Sequence, residues 1–355
     1  MINNFRKNKV LILRNENDND HLLWVKSCKK MELNFDIVDL SKDNWLAEIR
    51  KDKYDLFLLK PPGISAKYKQ IYDERLWIIK ESFSTPIYPS LQEVFLFENK
   101  RLLSGWLAAR NIDHPKTWVF YSLKESLDFS KKLKNFPIVA KTNIGASGNG
   151  VVIIKDVSSL NNYIHRSFKQ GVRSKTGPKL FKGSIFKKIL KVFNNKSFLK
   201  NRIKDYASSA KEIQKGFVFF QEFVPHEFEW RCVIIGDSFF AHKKVKVGNK
   251  TSGTLIKDYS EVPKRLLDFM RDFSFKNDMR SIAIDIFETD SQFLVNEIQT
   301  FFGQSDPFQM LLNKEPGRYR YINEKWTFEK GMFNTNECYD LRLKEAMKLI
   351  KNESN

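Results

Sequence analysis

The sequence predicts an α/β protein: a small N-terminal domain built on a parallel sheet, followed by two further lobes. Three observations predict this class. Apolar runs alternate with helical segments over residues 1–95, two apolar strands enclose a glycine-rich loop within 136–154, and two apolar strands that each carry an acid lie within 281–297. The expected boundaries are 1–95 for the N-terminal domain, 96–220 for the small lobe and 221–355 for the large lobe.

The N-terminal domain is expected to alternate strands with helices, which implies a parallel sheet. Its predicted strands span residues 9–13, 34–39 and 54–59. Helices are predicted at about 20–31 and near Trp45. At the other end of the chain, residues 304–311 are predicted to begin a helix, and residues 342–351 are predicted to form a short amphipathic helix.

The glycine-rich loop within 136–154 suits a polyanion. Gly145, Gly148 and Gly150 let the backbone approach phosphates closely, and Lys141 ends the preceding strand as a point charge. The order of residues is not that of a P-loop, and no helix follows as a dinucleotide-binding fold requires. A plain glycine-rich hairpin accounts for the same residues equally well, so this motif alone does not decide the function.

Asp285 and Glu297 are the most informative pair of residues. Each is expected to end an apolar run, and the polar cluster at 289–292 between the runs indicates a turn. A hairpin would bring the two carboxylates together. Mg²⁺ prefers a few hard oxygen ligands and commonly shares its other positions with nucleotide phosphates, so the pair predicts a magnesium site.

A further segment, 216–236, places Gln221 and Glu222 at the end of one apolar strand, and Glu229 and Arg231 at the start of the next. The chain thus presents, in order, a cradle with a lysine, an acidic linker, a strand led by arginine and a hairpin with two carboxylates. This order resembles the ATP-grasp superfamily. It is most similar to the carboxylate–amine ligase branch, which includes glutamate ligases acting on a ribosomal protein, glutathione synthetases and D-alanine:D-alanine ligases.

The resemblance covers about residues 96–305 and rests on several weak motifs in the right order. It implies the α+β ATP-grasp fold, a two-lobed nucleotide-binding unit, and ATP and one or two Mg²⁺ ions as cofactors. The residues that match the family's motifs are Lys100 and Lys141 for the phosphates, Gly145, Ser147, Gly148 and Gly150 for the loop over them, Gln221, Glu222, Phe223 and Val224 for adenine, Glu229 for the ribose, Arg231 and Lys244 for the transferred phosphoryl group, and Asp285, Glu297 and Gln299 for the metal.

One position departs from the family. Gln299 lies where the family usually has asparagine, and the Pro-Gly that often follows is missing. Glutamine offers the same amide oxygen on a longer stem. The resemblance therefore implies that the metal geometry is shifted and that the acceptor pocket differs from those of the better-known members.

A ligase of this branch would transfer the γ-phosphoryl group of ATP to a carboxylate, and an amine would then attack the acyl phosphate. Such phosphoryl transfer requires mainly positioning and charge neutralisation. No general base stands out among the five scattered histidines. His242 is the best placed of them, because it precedes Lys243 and Lys244 on a strand expected to face the nucleotide.

The net charge of +19 is concentrated in one segment. Residues 166–215 contain 15 Lys or Arg against only Asp205 and Glu212, and 184–203 predict a basic amphipathic helix. Three interpretations remain open: an insertion whose apolar face packs on the protein, a contact with an anionic membrane surface, and a site for an anionic substrate. Nucleic acid is not expected, because no motif that reads it is recognisable.

No apolar run approaches the roughly 20 residues that span a bilayer, and the start of the chain is too polar for a signal peptide. We therefore expect a cytoplasmic protein, with peripheral contact at the inner membrane face as an option.

The leading hypothesis is amide-bond formation between an amine and a small-molecule or glycan carboxylate, such as a uronic acid in a surface polysaccharide precursor. The alternatives are a ligase that adds an amino acid to a peptide or protein tail, and a non-catalytic nucleotide sensor. The sequence leaves the oligomeric state open.

Overall fold

The computed structural model describes residues 8–63, 65–145, 150–173, 212–246, 256–302 and 306–352. Residues 351 and 352 are described by their backbone alone. Ser147, Gly148 and most of the basic segment, including the predicted helix at 184–203, lie outside the described residues. No helix within these ranges is long and apolar enough to span a bilayer.

The first sheet contains four strands in the order β2-β1-β3-β4, and every neighbouring pair is parallel. The predicted parallel sheet is therefore confirmed. The interior residues of its central strand, 10–13, are fully buried. The elements are β1 (Lys9–Arg14), α1 (Leu22–Lys30), β2 (Asn34–Asp39), α2 (Trp45–Ile49), β3 (Leu56–Leu59), α3 (Ala66–Ser82) and β4 (Ile87–Tyr88).

The second sheet is antiparallel, in the order β5-β10-β6-β7, and two helices pack on it. Two short strands, β8 and β9, pair where the basic segment leaves and re-enters the described chain. The elements are α4 (Leu91–Leu96), α5 (Lys100–Ala109), β5 (Thr117–Phe120), α6 (Leu123–Lys132), β6 (Ile138–Lys141), β7 (Val151–Ile154), α7 (Val157–Lys169), β8 (Val172–Arg173), β9 (Ile213–Gln214) and β10 (Val218–Glu222).

The third sheet is the largest and contains the acidic hairpin, which is the pair of strands that carry Asp285 and Glu297. Its strands follow the order β15-β14-β11-β12-β17-β16, with β13 beside β12 and β18 beside β17. The elements are β11 (Phe228–Ile235), β12 (Ser238–Val245), β13 (Lys257–Asp258), α8 (Lys264–Asn277), β14 (Ser281–Glu288), β15 (Phe293–Gln299), β16 (Leu311–Leu312), β17 (Glu315–Ile322) and β18 (Lys325–Lys330), followed by a 3₁₀ turn (Thr335–Cys338) and α9 (Tyr339–Asn352).

The prediction of a helix starting within residues 304–311 is wrong for the part that the structure describes. Residues 306–310 form bends, and the chain then enters the β16–β17 hairpin. Asn313 and Lys314, between these strands, have φ of 52° and 67°. This left-handed backbone makes a tight turn, which an apolar run read alone does not reveal.

Two helices connect the sheets. The predicted C-terminal helix exists as α9, and Tyr339, Leu343 and Ala346 bury its apolar face in the core of the N-terminal sheet. Leu103 and Leu107 of α5 join the core of the third sheet instead. Lys100, the first residue of α5, is therefore held beside the acidic hairpin.

Candidate functional site

The register of three strands brings acidic and basic side chains together. Asp285 lies directly opposite Glu297 in the β14–β15 hairpin, and Arg231 of β11 lies opposite Asp285. On the other side of β11, Glu229 faces Lys244 of β12. The hairpin agrees with the prediction, but Asp285 does not end its strand, because β14 continues to Glu288. The two carboxylates therefore lie within the sheet and not at its end.

A β-bulge adds a residue that the sequence analysis missed. Asp285 pairs with Glu297 while Ile286 pairs with Val295, so Asn296 is the extra residue. Strict alternation would have placed Asn296 on the face opposite Glu297, but a bulge redirects a side chain.

The amide of Asn296 connects the second and third sheets. Its Oδ1 accepts a hydrogen bond from Lys141 Nζ at 2.9 Å, and its Nδ2 donates to Glu229 Oε1 at 3.2 Å. Lys141 lies on the second sheet and Glu229 on the third. The bulge residue therefore links Lys141, a predicted phosphate lysine, to Glu229 on the third sheet.

Charged hydrogen bonds continue across the third sheet. Lys244 Nζ lies 2.6 Å from Asp285 Oδ2 and 2.9 Å from Glu229 Oε2. Arg231 Nε lies 3.3 Å from Asp285 Oδ1, and its Nη1 donates to Gln299 Oε1 at 3.1 Å. Asp285 is only 1% exposed, so these contacts form in a poorly solvated interior where paired charges interact strongly.

The two predicted phosphate lysines reach the same cluster. Lys100 Nζ lies 3.5 Å from Glu297 Oε1 and donates to the carbonyl of Gly145 at 3.1 Å. Burial lowers the pKa of Lys100, but the carboxylates of Glu297 and Glu98 more than offset this and leave the pKa raised. Burial lowers the pKa of Lys141 to about 8. Both lysines are thus buried cations beside carboxylates, an arrangement typical of functional sites.

A small cavity of about 10 Å³ adjoins the two lysines. It lies between α5 and the second sheet, and most of its lining side chains are polar or charged. The lining residues are Lys100, Leu103, Ser104, Leu107, His114, Thr117, Lys141, Phe219, Gln221 and Asn296.

Only one of the four predicted adenine residues, Gln221, lines this cavity within the described chain. Glu222 Oε1 instead accepts the backbone N–H of Lys116 at 3.0 Å. Phe223 lies under the ammonium of Lys246, and the carbonyl of Val224 contacts His226 Nδ1 at 2.7 Å. Glu222 is the last residue of β10, and Phe223 and Val224 belong to the linker between the second and third sheets.

The glycine loop, defined as residues 142–150, is described only at its ends. The carbonyl of Gly150 accepts the N–H of Thr142 at 3.0 Å, which closes the base of the loop. A Cβ at Gly150 would lie 1.8 Å from Thr142 Oγ1, so only glycine fits there. Gly145 has a φ of 147°, a conformation that glycine adopts readily.

The acidic hairpin fits a divalent cation. Asp285 Oδ1 is buried and accepts no hydrogen bond from the described residues, although Arg231 Nε lies 3.3 Å away, so it is a hard oxygen that a cation could share. Within these residues, no group of three or more His, Cys, Asp or Glu could hold a metal ion. The chain therefore offers Asp285, Glu297 and the amide oxygen of Gln299, and further ligands would have to come from phosphate or water.

His242 is unsuited to act as a general base. Its side chain is 2% exposed, and its Nδ1 lies 2.8 Å from the carbonyl of Gln309. Burial lowers its pKa to about 3, and the charge of Arg231 adds to this effect. A buried neutral ring held by a backbone carbonyl has a structural role, so even the best placed of the five histidines is not a suitable base.

The burial of His242 predicts acid sensitivity. Unfolded chains bind its proton near pH 6.5 and the folded protein only near pH 3. The contribution of His242 to the free energy of unfolding is therefore complete above about pH 6.5. It falls as the pH decreases towards 3, by about 1.4 kcal/mol per pH unit. Urea unfolding at pH 7.0, 5.5 and 4.5 should show that the free energy of unfolding decreases less for His242→Gln than for the wild type. Equal losses would contradict this account, and His165→Gln, at an exposed position, is the control.

Several solved structures share this architecture. D-alanyl-alanine synthetase A from Vibrio cholerae O1 biovar eltor matches at 12% identity over 98% of this chain and 99% of that chain, with a TM-score of 0.54. D-alanine–D-alanine ligase from Bacillus anthracis, complexed with ATP, matches at 15% identity over 98% and 99%, with a TM-score of 0.53. N5-carboxyaminoimidazole ribonucleotide synthetase from Thermotoga maritima matches at 14% identity over 96% and 76%, with a TM-score of 0.51.

No protein-family model matches the sequence, and no curated protein matches it in sequence. The likeness to solved structures is therefore a likeness of fold at low identity. Activity has to be argued from the side chains of this chain, because one fold hosts many functions.

Proposed function

Because the chain has the ATP-grasp fold, we propose that it is an ATP- and Mg²⁺-dependent ligase that joins a carboxylate to an amine through an acyl phosphate. One observation carries the proposal. Lys100 contacts Glu297, Lys141 reaches Glu229 through Asn296, and Lys244 connects Glu229 to Asp285. The two lysines and the two carboxylates predicted to bind metal thus belong to one connected cluster of contacts.

The small cavity beside Lys100 and Lys141 marks the proposed nucleotide site, which would have to widen to admit ATP. Leu103, Leu107 and Phe219 would contact the base, and the amide of Gln221 would supply a polar group at its edge. The two ammonium groups would face the phosphates. In the structure Lys100 is paired with Glu297 and Lys141 donates a hydrogen bond to Asn296, so phosphate oxygens would replace contacts that these lysines already make.

A magnesium ion would be held by Asp285, Glu297 and the amide oxygen of Gln299. When bound, it neutralises phosphate charge and orients the reacting oxygens. Arg231 and Lys244 surround Asp285 and would stabilise charge that develops on the transferred phosphoryl group. Gln299 reaches one methylene further than asparagine, and Arg231 already orients its oxygen, which supports a role as a ligand.

The reaction has two steps. An oxygen of the substrate carboxylate would attack the γ-phosphorus of ATP, forming an acyl phosphate and releasing ADP. The amine nitrogen would then attack the acyl carbon, so that the amide forms and phosphate leaves with loss of one amine proton. The protein would contribute position, charge and exclusion of water.

The excess of positive charge between residues 166 and 215 favours an acid substrate that carries further negative charge. A glycan or lipid-linked sugar with a uronic acid fits this requirement, with an amino acid as the amine and the inner membrane face as the setting. A peptide or protein-tail ligase would use the same chemistry.

The test is to mix the protein with ATP, Mg²⁺ and panels of acids and amines, and to measure ADP and the adduct mass. We expect ADP and amide in equal amounts, and only when both substrates are present. ATP binding without ADP release for any pair would contradict the ligase and favour a nucleotide sensor.

A further inference from the structure

A carboxylate to which the proposed function gives no role lies between the lysine at the start of α5 and the glycine loop. Glu98 precedes Lys100 by two residues and is 7% exposed, with a left-handed backbone φ of 51°. Its Oε2 accepts the N–H of Gly145 at 2.9 Å and lies 3.9 Å from Lys100 Nζ. A buried carboxylate in such a backbone conformation costs stability, so its contacts require an explanation.

Glu98 and Lys100 both form hydrogen bonds with the backbone of the same glycine. The N–H of Gly145 is bound by Glu98, and its carbonyl accepts a hydrogen bond from Lys100 Nζ at 3.1 Å. The preceding residues add further links, because Asn143 Oδ1 accepts the N–H of Arg101 at 2.9 Å. The start of α5 and the start of the glycine loop therefore form one hydrogen-bonded unit.

The N-terminal domain also contacts this unit. A Cβ at Gly63 would lie 3.3 Å from Glu98 Cγ and 3.0 Å from the ring of Phe97. Burial raises the pKa of Glu98, while the charge of Lys100 and the N–H of Gly145 act in the opposite direction. Glu98 thus lies where the N-terminal domain, α5 and the glycine loop meet.

We propose that Glu98 is a positioning residue that fixes Gly145 relative to Lys100, and so sets where the glycine loop and the phosphate lysine meet the nucleotide. The proposal rests on the function proposed above. When a phosphate oxygen draws Lys100 Nζ away from the carbonyl of Gly145, Glu98 continues to hold the N–H. The carboxylate keeps the start of the loop in place while the lysine binds the ligand.

Three variants separate this role from simple packing. Glu98→Ala removes the acceptor, and Glu98→Gln keeps an acceptor oxygen without the charge. Glu32→Ala is the matched control, because Glu32 is exposed and has a similar φ of 53°. We expect the ATP KM to rise at least tenfold in Glu98→Ala and about fivefold in Glu98→Gln, with smaller changes in kcat, and to stay unchanged in Glu32→Ala.

Hydrogen exchange at the Gly145 amide provides a readout that needs no nucleotide. We expect faster exchange in Glu98→Ala than in Glu98→Gln, whose neutral oxygen still accepts the bond, and wild-type exchange in Glu32→Ala. If Glu98→Ala does not fold, the exchange rate and ATP KM of Glu98→Gln decide the question.

The two proposals fail in different ways. Wild-type protein that forms no ADP with any substrate pair overturns the ligase. Wild-type turnover with an unchanged ATP KM and unchanged Gly145 exchange in the Glu98 variants overturns the positioning role alone.

Discussion

Replacement of Asp285 by asparagine is expected to reduce turnover on the order of a thousandfold. Asp285 is 1% exposed, contacts Lys244 and Arg231, and has an oxygen that accepts no hydrogen bond from the described residues. Asparagine keeps the shape but removes the charge that would hold the metal. ADP formation and the magnesium concentration for half-maximal activity are the quantities to measure, and the latter should increase.

The control for Asp285→Asn is Asp290→Asn, in the exposed turn of the same hairpin. Its activity and magnesium dependence should equal those of the wild type. Full turnover by Asp285→Asn, with the protein folded and magnesium still required, would show that the metal binds elsewhere.

Replacement of Lys141 by methionine is expected to weaken ATP binding about a hundredfold while stabilising the protein by about 2 kcal/mol at pH 7. Burial lowers the pKa of Lys141 to about 8 from 10.5, so its charge costs about 3 kcal/mol in the folded state. Methionine removes this cost. Part of the resulting gain in stability is lost because the Asn296 oxygen loses its hydrogen-bond donor. Opposite effects on stability and binding are expected of a site maintained for function.

The pH dependence of the Lys141→Met effect follows from the same shift. Unfolded chains keep the proton of Lys141 up to about pH 10.5 and the folded protein only up to about pH 8. Wild-type stability therefore rises over this interval, and the advantage of Lys141→Met should shrink. Denaturant unfolding at pH 7, 9 and 10 measures this, with Lys116→Met at an exposed position as control. Lower stability of Lys141→Met at pH 7 would contradict the account.

The acidic hairpin was predictable because its signals are local. The polar residues at 289–292 form the expected turn, in which the N–H of Thr289 donates to the carbonyl of Gln292. Asp285 and Glu297 follow from alternation along the two strands, and the structure pairs them. Asn296 could not be placed in the same way, because a bulge is defined by the register of two strands and not by one sequence.

The sequence patterns could not predict contacts between distant segments of the chain. The amphipathic period of α9 predicts that one face is buried, but not that Leu343 and Ala346 pack on the N-terminal sheet. Glu98 reads as a surface residue before a helix, and its partner Gly145 is 47 residues away. His242 was ranked first among the histidines only because it precedes Lys243 and Lys244, and its burial depends on packing around β12 that no local pattern encodes.

The measurement that tests the central claim most directly is a crystal structure with a non-hydrolysable ATP analogue and Mg²⁺. The account predicts that Lys100 and Lys141 contact the phosphates and that Asp285 and Glu297 bind the metal. A second cavity, of about 160 Å³, is lined by Arg101 and Gln214 on the side of β9. A nucleotide bound there, with the four predicted groups keeping the contacts they make without it, would contradict the account.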